Sequence, residues 1–141
     1  MSGSNPMIGL TLAWVTWTIC VVGGSALLHE FGHAWTARAV GWKVVGLGWH
    51  WYGAALVADP NGRPDKLWKV ALGGLWTTAL LALAFFAGTA LPEPASDLFY
   101  LGFAVNATLL LTNLVPVRRL DGGQVLAGLR QFRAHDPRSR I

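Results

Sequence analysis

The chain has 141 residues, of which 53% are hydrophobic and only 13% charged, with a net charge of +4. A soluble domain of this size carries about a quarter charged residues, so the composition argues against one and leaves no room for a separate soluble module. The basic balance does not call for nucleic acid, because orientation in a membrane and contact with anionic lipid account for it.

Three stretches carry no charged side chain: 7–28, 70–91 and 98–117, of 22, 22 and 20 residues. At ~20 residues per crossing each is long enough to span a bilayer. The first is not expected to be a cleavable signal: it lacks a positive leading region, is too long, and runs into a polar motif. The expected fold is an all-α membrane protein, a single domain over 1–141. It has three transmembrane helices and a small membrane-associated β-hairpin between helices 1 and 2.

The first span is expected over about 7–39, since no proline interrupts it after Pro6. Trp14 and Trp17 lie towards one end, while Trp35, Trp42 and Trp68 cluster near the other boundary, as an aromatic belt would. Cys20, the only cysteine, is read as a small apolar packing residue. Near the end of this helix stands His29-Glu30-Phe31-Gly32-His33. The two histidines are one helical turn apart on the same face, so both imidazoles can reach one Zn²⁺. Glu30 is placed to bind a metal-held water rather than the metal. Arg38 is the first charge able to reach the inner surface, which puts His33 roughly 7 Å and His29 roughly 14 Å along the helix from it.

The run 42–58 alternates aromatic and β-branched residues with glycine and ends at Asp59-Pro60-Asn61-Gly62, a turn signal. It is expected as a hairpin at the membrane interface. Its strand edge either pairs with an unfolded peptide segment or packs over the helices. The second span, about 68–91, holds Gly73-Gly74, a close-packing device between membrane helices. Pro92-Glu93-Pro94 stops it, and the third span follows at about 98–117. A catalytic zinc takes three protein ligands, and His50 and His135 lie outside the spans. Asp121 is the better third candidate. Pro116 breaks the helix before it, Gly122-Gly123 permit a bend after it, and broken backbone at membrane depth is tolerated only around a lined cavity. Residues 124–141 read as a basic cytoplasmic tail. All eleven Lys and Arg fall between the first and second runs or after the third, whereas 92–97 carries Glu93 and Asp97. The N-terminus is therefore expected outside and the C-terminus in the cytoplasm, with the metal reached from the cytoplasmic side.

His29-Glu30-Phe31-Gly32-His33, paired with Asn113-x-x-Pro116-x-x-x-Leu120-Asp121-Gly122-Gly123, resembles the two motifs of the site-2 protease family of intramembrane zinc metalloproteases (peptidase family M50). The resemblance implies a core of three transmembrane helices covering nearly the whole chain. It implies one Zn²⁺ per chain held by His29, His33 and Asp121, with Glu30 as catalytic base, and Asn113 holding substrate backbone. The family often carries Gly-Pro-x-x-Asn early in the second core helix. This chain has Gly73-Gly74-Leu75-Trp76-Thr77, so Thr77 stands at the asparagine's place with a hydroxyl instead of an amide. The expected activity is hydrolysis of a peptide bond in or near a transmembrane segment of membrane-protein substrates. The alternative is a non-proteolytic zinc-binding membrane protein that captures membrane partners. A metal transporter fits less well, because one ligand cluster near one face makes no relay across the bilayer.

Overall fold

The computed structural model of the chain describes residues 6–50 and 53–135. In chain order these form α1 (Pro6–Ala39), β1 (Lys43–His50), β2 (Gly53–Asp59), a 3₁₀ turn (Pro64–Lys66), α2 (Leu67–Gly88), α3 (Ala95–Leu114) and α4 (Asp121–His135). Helix α1 ends in a glycine cap. Gly41 takes a positive φ of 87°, its N–H donates to Arg38 O, and Trp42 N–H donates to Ala37 O at 2.9 Å. Those two bonds satisfy carbonyls the helix leaves open, and glycine adopts that conformation without the Cβ penalty.

Helix α2 is the centre of the bundle, packed against α1, α3 and α4. Its buried face is Val70, Ala71, Gly74, Leu75, Thr78 and Ala82, a helical stripe of small and apolar side chains. Helices α1 and α2 cross closely. A Cβ at Gly32 would collide with Thr77 and the Gly73 carbonyl, and one at Gly73 with Thr36 and the Gly32 carbonyl. Helix α3 is tied to α1 by Asn106 Nδ2 donating to Ser25 Oγ at 2.9 Å and by Trp17 Nε1 donating to Leu98 O at 3.1 Å.

Three helical stretches, Met7–Ala39, Pro64–Gly88 and Ala95–Leu114, are long and apolar enough to cross a membrane. Leu12, Ile19, Trp76, Leu80, Leu83 and Leu111 are each more than half exposed along them. So much uncovered apolar surface suits lipid better than water. The second and third stretches begin and end earlier than the charge-free runs suggest. Backbone chemistry sets the ends: α2 follows directly from the turn opened by Pro64, and α3 stops two residues short of Pro116.

The position of the hairpin differs from the expected 42–58. The strands pair antiparallel from Lys43↔Asp59 to His50↔Gly53, with an irregularity between Val44 and Gly46. Trp42 is withdrawn from the strand because its ring packs with Ala37 and Val70 while its indole N–H donates to Arg63 O at 3.0 Å. Val44, Leu56 and Ala58 complete that cluster, so the sheet is fastened to the helices at the end of α1 where the histidines lie. Trp51 and Tyr52 fall outside the described residues. The stretch expected as a basic tail begins as helix α4, which runs to His135; Arg138 and Arg140 lie outside the described residues. Gly122 and Gly123 do not bend the chain after Asp121. They lie in the first turn of α4, where a Cβ would strike the Leu114 or Val117 carbonyl.

Candidate metal centre

Helix α1 presents His29 and His33 on one face, and that face meets the Val70–Gly74–Thr78 stripe of α2. Because the two helices run in opposite directions, His33 lies against Val70 and His29 against Thr78. Gly74 sits between them, where a Cβ would collide with both imidazoles. Asp121 opens α4 and comes in from the third side, at the positive end of that helix. All three side chains are buried, at 6%, 8% and 7% exposure for His29, His33 and Asp121.

The outer ring nitrogens fix the inner ones. His33 Nδ1 lies 2.8 Å from the Val70 carbonyl oxygen, which can only accept, so Nδ1 carries the proton. His29 Nδ1 lies 2.8 Å from Thr78 Oγ1. That hydroxyl donates its own hydrogen to Gly74 O at 3.1 Å, so here too Nδ1 is the donor. In both neutral rings Nε2 is therefore left with a lone pair. The two Nε2 atoms are 3.1 Å apart, and Asp121 Oδ2 lies 3.2 Å from one and 3.3 Å from the other.

Three lone-pair atoms thus converge in a nearly equilateral triangle, and Asp121 Oδ2 is buried without a hydrogen-bond partner. Such an oxygen is costly unless a cation or a proton meets it. A point equidistant from the three atoms lies about 1.9 Å from each, close to the ~2.0–2.2 Å of zinc–nitrogen and zinc–carboxylate bonds. The donor set fits a divalent metal with a position left open. Without a metal, a proton must take its place against the Asp121 oxygen. Burial pushes the Asp121 carboxyl up, but the imidazoles against it outweigh burial and hold it below the usual carboxylate range. Proton and metal compete for the same three atoms.

Glu30 lies outside the triangle. Its Oε2 accepts the Leu56 N–H of β2 at 2.7 Å. Both residues line a cavity of about 1000 Å³ together with His29, His33, Asp121 and Asn113. Asn113 is half-buried there, its amide donating to Leu109 O at 2.9 Å. Thr77 is placed differently. Its hydroxyl donates to Gly73 O at 3.0 Å, and it lines a smaller groove beside Phe31, Trp35 and Trp76 instead of the metal cavity. His50 stands in β1 and His135 ends α4.

Sequence reasoning did not find the groups that orient the imidazoles. Thr78 had a detectable signal, since Val70, Gly74 and Thr78 repeat at four-residue spacing on one helix face. The Val70 carbonyl and the Leu56 N–H are backbone groups and carry none.

No protein-family model matches the chain. Over 134 residues, 92% of its length, it is 31% identical to a protein of Synechocystis sp. named "Putative zinc metalloprotease". A protein of Methanocaldococcus jannaschii with the same name is 28% identical over 130 residues, 77% of the chain. The chain spans 34% of the length of the first relative and 68% of the second. These two distant relatives support a metalloprotease family.

Proposed function

We propose that this protein is an intramembrane zinc metalloprotease of the site-2 protease type, cutting membrane-protein substrates within or near a transmembrane segment. The observation that carries the reading is the buried triangle of His29 Nε2, His33 Nε2 and the unpartnered Asp121 Oδ2. These three residues hold one zinc ion. When bound, zinc lowers the pKa of water towards ~7 and polarises a carbonyl oxygen. Glu30, which lines the same cavity, takes a proton from the attacking water and returns it to the leaving nitrogen. Asn113 offers its amide to the substrate backbone from the cavity wall. The remaining walls are largely apolar, as suits a peptide segment drawn from within a membrane.

A transmembrane helix hides its backbone in its own hydrogen bonds, so a substrate has to unwind before it can be cut. The sheet beside the cavity is the element that receives it. Its N-terminus is outside, its C-terminus cytoplasmic, and the metal opens to the cytoplasm; the placement of the basic residues supports that orientation. The test is cleavage of a single-span protein in reconstituted vesicles. Wild type cuts it, and Glu30→Gln retains zinc but does not. Cleavage retained by Glu30→Gln would remove Glu30 from its role.

A further inference from the structure

We infer that Leu56 N–H, on the outer edge of the strand that receives an extended substrate, is a latch on Glu30, so that seating a substrate strand releases the carboxylate for catalysis. The inference rests on the protease reading and concerns how the same site is controlled. An N–H points in one direction. Since Leu56 N–H donates to Glu30 Oε2, it faces away from β1, and the outer edge of β2 is turned towards α1 and the cavity. Among the described residues the sheet has two strands, so that edge has no strand partner. Ala55, Leu56 and Ala58 line the cavity shared with His29, His33 and Asp121, and two of these three side chains are methyl groups that leave room for a second chain.

A peptide adding to this edge forms main-chain hydrogen bonds with the outward groups of β2. Leu56 N–H is the donor that a peptide carbonyl must take, and Glu30 occupies it. One N–H cannot serve both well. Docking therefore displaces the Glu30 carboxylate, and the carboxylate in place weakens docking by the same factor. The bond fastens one carboxylate oxygen of Glu30 to β2. The device gives a membrane hydrolase a low rate on whatever small amides drift into the cavity and full activity only on a chain that has unwound into a strand.

Leu56→Pro tests the idea directly. It deletes the N–H, and proline is tolerated in an edge strand where that N–H faces outward. Two substrates are compared in vesicles: a single-span protein, and a blocked dipeptide amide too short to pair along β2. The latch predicts that Leu56→Pro raises turnover of the dipeptide amide severalfold while changing KM for the long substrate by no more than about twofold, because the docking donor and its competitor are removed together. Unchanged dipeptide turnover would overturn the latch, and a tenfold rise in KM would show that Glu30 does not compete for that donor. A second comparison does not depend on that variant folding. Glu30→Ala has no acceptor for Leu56 N–H, whereas the amide oxygen of Glu30→Gln still accepts it. A labelled, uncharged peptide rich in valine and isoleucine should bind Glu30→Ala about threefold to tenfold more tightly; equal affinities would refute the competition. If wild type cuts no substrate, the protease reading fails, and the binding comparison still decides the competition.

Discussion

Thr78 accepts the Nδ1 proton of His29 at 2.8 Å while passing its own hydrogen to the Gly74 carbonyl, and this chain leaves His29 Nε2 unprotonated and aimed at Asp121. Partners of this kind set the tautomer and basicity of a metal-bound imidazole. Thr78→Val keeps the shape and removes the acceptor. Zinc affinity should fall about 10–100-fold, with Thr78→Ser close to wild type. Competition with a chromogenic chelator measures it, and equal affinities for all three proteins would show that the hydroxyl plays no part.

Gly74→Ala places a methyl group against both imidazole rings. The variant should lose zinc binding while remaining inserted and helical. Gly23→Ala is the matched control, because a Cβ there meets nothing within 4 Å. Circular dichroism and metal content on the two variants separate loss of the site from loss of the fold.

Metal ligands must be unprotonated, so acid should strip the zinc. Both imidazoles have to be neutral, whereas Asp121, held below the usual carboxylate range, stays ionised to lower pH. The sign is therefore fixed: affinity falls as pH is lowered, because protons compete with the metal for the same three atoms. Zinc titrations from pH 7.5 downwards should show it. Affinity that never falls as the solution is acidified would contradict that competition.

The histidine pair was legible because four-residue spacing on a helix is a geometric statement, and Asp121 because a proline break must send the chain somewhere lined. Other parts were hidden for physical reasons. Thr77 and Thr78 are neighbours, yet a helix turns about 100° between them, so one faces Gly32 and the other His29. Helix α4 reads as a tail in sequence because Gly122 and Gly123 stand at its start and its arginines suit a solvated basic stretch; each glycine costs about 1 kcal/mol against alanine in a helix. Their place against the Leu114 and Val117 carbonyls explains why glycine stands there. The Leu56–Glu30 bond joins a backbone donor to a side chain 26 residues away, which no local pattern announces.

Orientation is open to a labelling experiment. With Cys20 replaced by serine, a single cysteine at Ser96, in the first turn of α3, should react with a membrane-impermeant maleimide from outside. One at Asn61, in the turn after β2, should react only from the cytoplasmic side. The reverse pattern would invert the topology that the basic residues imply.

The most direct measurement is the zinc content of wild type and Asp121→Ala purified side by side in the same detergent. Wild type should carry one zinc per chain, and the variant, reduced to two imidazoles, should retain little of it. Equal zinc in the two proteins would contradict the account, because the carboxylate at the start of α4 would then play no part in holding the metal.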